Sequence, residues 1–185
     1  MRRRSFALCL VSLALLPTLA SAKQRVAPRK WRYIVVHHSG TQGGSVRAFE
    51  AYHRGIRGMP RGMAYHFVIG NGHGLADGAI EEGPRWAKQQ PGAHVASALR
   101  DPQTGAVLDE IAIGVCLIGN LDTTPPSPKQ KQALSGLLAR LQREFAIPRE
   151  HVLGHSEVRG AHTACPGRNL AVADFAHGAT AQGVR

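Results

Sequence analysis

The sequence predicts an α/β domain, a central β-sheet flanked by helices. Two uninterrupted apolar runs, Tyr33-Ile34-Val35-Val36 and Ile111 through Ile118, have the character of strands buried on both faces. A third stretch, residues 128 to 145, has helical periodicity and a start signal. The 185 residues are 43% hydrophobic and 19% charged, an ordinary globular composition for which one domain is the default. Three cysteines and the lack of Pro/Ser/Gln-rich blocks exclude a disulfide scaffold and a disordered chain. Collagen, coiled-coil and polytopic membrane patterns are absent as well.

Residues 1–22 read as a signal peptide. Arg2, Arg3 and Arg4 precede an apolar run from Phe6 to Leu16, and Ala20-Ser21-Ala22 supplies a cleavage site after Ala22. The run is shorter than the roughly 18 residues a spanning helix needs, and Cys9 lacks a lipobox, so no membrane anchor is expected. Arg3-Arg4-Ser5-Phe6 partly resembles a twin-arginine signal, but a plain Arg-rich start is the commoner explanation. The signal holds three of the 23 Lys and Arg and none of the 12 acids, so cleavage lowers the net charge from +11 to +8. Outside the cytoplasm, that basicity points to anionic envelope polymers, and no major nucleic-acid motif is present. The expectation is a periplasmic or secreted protein.

Residues 23–30 read as a basic leader with nothing to bury, and the domain spans 31–185, opening at Trp31. The first strand ends in His37 and His38. A helix is expected over 46–54, and Gly55, Gly58, Pro60 and Gly62 then break the chain before a second strand, Tyr65-His66-Phe67-Val68-Ile69, which Gly70-Asn71-Gly72 closes. From Gly74 to Glu110 the pattern is irregular, with short strand candidates at 75–81; so long a connection usually carries function. The strand ending at Ile118 should be central. Ser127 and Gln130 then form a capping box with Pro128 at the first helical position. Ala133, Leu134, Leu137, Leu138, Leu141 and Phe145 share one face of that helix, which should pack on the sheet. His151-Val152-Leu153-Gly154-His155 gives a last short strand, and a loop leads to Cys165-Pro166-Gly167.

Any one of the ten histidines is, taken alone, a structural residue more often than a ligand. Placement singles out His37 and His155, each at the end of a buried strand where neighbouring strands bring side chains to one sheet edge. Cys165 follows His155 by ten positions. Two imidazoles and a thiolate suit Zn²⁺, and three protein ligands leave the fourth tetrahedral position open, a catalytic rather than a closed structural arrangement. His37 and His38 face opposite sides of a strand, so at most one is a ligand. The competing reading pairs Cys165 with Cys116 in a disulfide, although Cys116 lies within an apolar strand. His162 lies near enough in sequence to compete as a ligand.

The ordered landmarks Tyr33-Ile34-Val35-Val36-His37-His38-Ser39, Ala64-Tyr65-His66-Phe67-Val68-Ile69, Gly92-Ala93-His94, Ile113 through Asn120, Leu153-Gly154-His155 and Thr163-Ala164-Cys165-Pro166-Gly167 resemble the type 2 family of zinc-dependent N-acetylmuramoyl-L-alanine amidases. That family includes the peptidoglycan recognition proteins. The resemblance covers roughly residues 31–170. It implies a central mixed β-sheet flanked by helices in a single domain, and a zinc ion on His37, His155 and Cys165. It further implies catalytic roles for Tyr65 and Thr163, and substrate-binding roles for His94 and Asn120. The implied reaction is hydrolysis of the amide between N-acetylmuramic acid and L-alanine in peptidoglycan or muropeptides. One departure is Ser156-Glu157, where many relatives carry Arg-Asp. Three competing readings remain: a peptidoglycan-binding module that does not cut, a cysteine peptidase built on Cys165, and a nucleic-acid binder acting through net charge.

Overall fold

The computed structural model describes residues 26–177. The expected signal peptide lies outside the described residues.

Five strands form one sheet in the order β3-β2-β4-β1-β5. Both apolar runs are central. β1 (Tyr33–His38) lies parallel to β4 (Ala112–Leu117) on one side and to β5 (Val152–Gly154) on the other. β2 (Phe67–Ile69) is parallel to β4, and β3 (Ile80–Glu82) is antiparallel to β2, so the sheet is mixed. The continuous hydrophobicity of β1 and β4 follows from this position, because each has strands on both edges and packing on both faces. Four parallel strands therefore end together, and the residues just beyond them share one sheet edge.

Helices cover the two faces. α4 (Pro128–Phe145) starts as expected: Ser127 Oγ accepts from Gln130 N at 3.0 Å while the Gln130 side chain accepts from Ser127 N at 3.2 Å. Its stripe of Leu134, Leu137, Leu138 and Leu141 is buried against Ile34, Val36, Ile113, Val115 and Leu117. Each fully buried leucine contributes about 1.5–3 kcal/mol. The helix ends at Ala146, which adopts a left-handed φ of 52°. On the opposite face α1 (Val46–Gly55), capped by Ser45, buries Val46 and Phe49 against Met63, Val68 and Ile118. Two short turns of helix, α2 (Pro84–Ala87) and α3 (Leu108–Ile111), punctuate the long connection.

Several boundaries differ from expectation. Tyr65 and His66 precede β2, and Ile111 closes α3, so β4 starts at Ala112. Of the expected 75–81 strand only β3 forms, since Gly72, Gly74 and Gly78 adopt positive φ and turn the chain between β2 and β3. His155 opens a 3-10 turn (His155–Glu157) rather than ending β5. The leader is not idle: Arg29 donates to the Glu110 carboxylate at 2.5 Å and to its carbonyl at 3.1 Å, and its guanidinium lies 5.6 Å over the Trp31 ring.

Candidate metal centre

Strand parity decides which residues reach the site. Tyr33, Val35 and His37 share a face of β1, and the register pairs them with Ala112, Gly114 and Cys116. His38 points to the other face, where its Nδ1 accepts from Leu121 N at 3.0 Å. His37 is thus the one histidine of the pair on the site face, and it is 1% exposed.

The other two groups arrive on loops that hold each other. Ser156 N donates to the Cys165 carbonyl at 2.6 Å, Cys165 N donates to Thr163 Oγ1 at 3.1 Å, and the Glu157 carboxylate accepts from Gly154 N at 2.5 Å. At the Ser156-Glu157 departure, the Ser156 main chain ties the turn carrying His155 to the loop carrying Cys165, while the Glu157 carboxylate closes that turn on itself at Gly154. Cys165 Sγ lies 3.5 Å from His37 Nδ1, and the His37 and His155 ring centroids are 4.7 Å apart. One potential ligand atom from each of His37, His155 and Cys165 lies within 4.8 Å of the others, the one such group of three among the described residues. His162 is exposed and outside it. Cys116 and Cys165 are both free thiols, so the disulfide alternative is not realised.

Burial keeps the two imidazoles here neutral. Burial, then the neighbouring His94 and His155, hold the His37 pKa well below its usual value, and burial lowers His155 too, so both imidazoles offer lone pairs. Burial pushes the Cys165 thiol up to about 11. A nucleophilic cysteine needs the reverse, a depressed pKa; this sulfur ionises readily only with a cation beside it. Neutral nitrogen and soft sulfur donors in a set of three fit zinc with an open position.

The remaining expected residues divide. The Tyr65 ring lies 5.2 Å from that of His37, and burial raises its phenol well above 10, so it keeps its proton as a donor. Thr163 is exposed, and with its oxygen accepting from Cys165 N its O–H is free to donate. Asn120 stands apart from the metal group, lining a neighbouring cavity of about 690 Å³ with Gln42, Asn71 and Thr123. His94 is not where a groove residue would be: its side chain is fully buried beneath His37, with Nδ1 3.1 Å from His37 Nε2. Gly92 and Gly114 leave the space for this ring, since a Cβ on either would collide with it. A glycine in the middle of a buried strand was the available sequence signal.

A mixed, helix-covered sheet with two imidazoles and a thiol gathered at one edge, His37 from the end of β1 and His155 and Cys165 from the loops beyond it, defines an α/β protein with a candidate metal site. The chain belongs to the type 2 N-acetylmuramoyl-L-alanine amidase family, whose model matches residues 27–168. Enzymes of that family are zinc-dependent. Among solved structures, the amidase LysC from Clostridium intestinale URNW is 26% identical over 79% of this chain and 83% of its own, with a TM-score of 0.62. Drosophila PGRP-LB, as a tyrosine-to-phenylalanine mutant in complex with tracheal cytotoxin, is 26% identical over 78% and 79%, with a TM-score of 0.57. Bumblebee PGRP-SA shares the fold at 23% identity over 76% and 78%, with a TM-score of 0.59. No curated protein matches the chain. No helix among the described residues is long and apolar enough to cross a membrane.

Proposed function

We propose that this chain is an exported, zinc-dependent amidase that hydrolyses the bond between N-acetylmuramic acid and L-alanine in peptidoglycan. The observation that carries the reading is the convergence of His37, His155 and Cys165 within 4.8 Å, beside a phenol held in its protonated form. His37 and His155 are the nitrogen ligands and Cys165 the sulfur ligand. Zinc held there would supply Lewis acidity to the amide carbonyl and lower the pKa of a bound water to about 7.

The chain's own residues do the rest. Tyr65 donates a hydrogen bond towards the oxygen on which negative charge develops, and Thr163 adds a second donor from the loop that carries Cys165. The Ser156–Cys165 and Cys165–Thr163 hydrogen bonds keep the sulfur ligand and the threonine donor on one rigid loop. Residues that hold their geometry before the reaction spend little energy reorganising during it. The basic surface attracts a wall whose stem peptides carry carboxylates. The test is digestion of purified peptidoglycan by the zinc-loaded protein, read as newly exposed L-alanine amino termini. Binding without such termini would assign the chain to the peptidoglycan-recognition side of the family.

A further inference from the structure

A neutral imidazole carries one proton on two nitrogens, so whatever fixes the proton on one leaves a lone pair on the other. His94 stands between such a constraint and the metal centre. Around its Nε2 lie the Ala112 carbonyl oxygen at 3.3 Å and the Asp109 carboxylate oxygen at 3.7 Å. That carboxylate oxygen already accepts from His94 N at 3.0 Å and from Val95 N at 3.3 Å. Both neighbours of Nε2 are acceptors, so Nε2 bears the proton. The side chain has no exposed surface, and a charged ring is costly there. His94 Nδ1 is therefore a bare acceptor, and the atom facing it at 3.1 Å is His37 Nε2.

Resting on the reading of the site as a zinc centre, we propose that His94 is a positioning residue that locks His37 in the tautomer protonated on Nε2, leaving the Nδ1 lone pair for the metal. The direction of the chain is set at its far end by a backbone carbonyl, which cannot donate. His37 Nε2–H donates to His94 Nδ1, His94 Nε2–H donates to the Ala112 carbonyl, and His37 Nδ1 is left facing Cys165 Sγ at 3.5 Å. Reversing the first bond would place a proton on Nδ1 and close that position to a cation.

The surrounding chain is built around this ring. Asp109 clamps the backbone of His94 and Val95, and Gly92 N donates to the Asp109 carbonyl at 3.0 Å, so α3 holds the 92–95 segment at its level beside β4. Gly114 occupies a buried central-strand position where a glycine forgoes packing and costs chain entropy. That cost has an explanation only in the His94 ring lying where its Cβ would be. Metal-ligating histidines are commonly oriented by an acceptor on the second nitrogen; here the acceptor is itself a histidine, polarised in turn by a main-chain carbonyl.

The experiment is long-range proton–nitrogen NMR on the metal-free, ¹⁵N-histidine-labelled protein, followed by zinc titration of wild type, His94→Leu and His94→Asn. The expected spectrum shows His37 and His94 both protonated on Nε2 alone, with zinc shifting His37 Nδ1. His94→Leu removes the acceptor and should weaken zinc binding about 10- to 100-fold. His94→Asn, which restores a carbonyl acceptor facing His37, should recover most of that loss. A metal-free His37 protonated on Nδ1 would overturn the proposal, as would a folded His94→Leu protein with unchanged zinc affinity. The spectrum needs no folded variant and no hydrolysis. Expected tautomers in a protein that does not cut peptidoglycan would sink only the amidase reading, whereas a cutting protein with the reversed tautomer would sink only the relay.

Discussion

At the residue scale, Tyr65 and Thr163 separate catalysis from metal binding. Tyr65→Phe keeps the ring against His37 and His53 but deletes the phenolic proton. Loss of one preorganised donor costs on the order of 10² to 10³ in kcat, so the variant should fold, bind zinc normally and hydrolyse muropeptides slowly. Thr163→Ala should show a smaller defect in the same direction. Steady-state kinetics with parallel zinc analysis checks both, and an unchanged kcat for Tyr65→Phe would reduce the tyrosine to a packing residue. At this scale the sequence pointed to the grouping of His37, His155 and Cys165 because the end of β1, the short apolar run before His155 and the Cys-Pro-Gly loop are local signals. It could not disclose where His94 goes. The Gly92-Ala93-His94 segment is near the site in any reading, but whether its imidazole faces solvent or slides beneath His37 depends on Gly114, twenty positions later and in another element.

At the element scale, the strength of each expectation followed the locality of its cause. α4 matches its expected start and end because a capping box and an apolar stripe are written in adjacent residues. β2 begins at Phe67, two residues later than its apolar pattern, although the His66 main chain still donates to the Gly114 carbonyl of β4 at 2.8 Å. There His66 Nδ1 accepts from Gly114 N at 2.9 Å and its Nε2 donates to the Gln90 carbonyl at 3.0 Å, long-range partners that no pattern in the segment announces. Two substitutions test the elements. Leu138→Ala empties a fully buried position between α4 and the sheet and should cost about 2–5 kcal/mol, seen as a lower denaturant midpoint with zinc binding retained. Gly114→Ala forces a methyl group against the His94 ring and should cost about 1–3 kcal/mol while also weakening zinc binding. Normal stability and metal affinity in the second variant would mean that the strand glycine has no part in shaping the site.

At the scale of the whole molecule, buried histidines set the response to acid. Burial holds both His66 and His94 down to about 3, against an unfolded value near 6.5. Below about pH 6.5 the unfolded chain therefore binds protons that the folded chain does not, so stability is complete above that pH and falls as pH drops. The slope approaches about 1.4 kcal/mol per pH unit for each histidine. Asp109, raised by burial, works in the opposite sense. Urea unfolding of metal-free protein between pH 7 and 4.5 should show a steadily falling midpoint, and a flat profile would contradict the burial of these two imidazoles.

The basic charge and the ordered landmarks already pointed to the cell wall, and family membership bears out the peptidoglycan-directed class. What they leave to experiment is whether the assembled site cuts. The most direct measurement is the release of L-alanine amino termini from purified peptidoglycan, with zinc content determined on the same sample before and after chelation. One zinc per chain, with cleavage that chelator abolishes, zinc restores and Cys165→Ala lacks, is the result expected of His37, His155 and Cys165 acting together. Cleavage that persists without metal or without Cys165, or firm binding to peptidoglycan with no new termini, would contradict it.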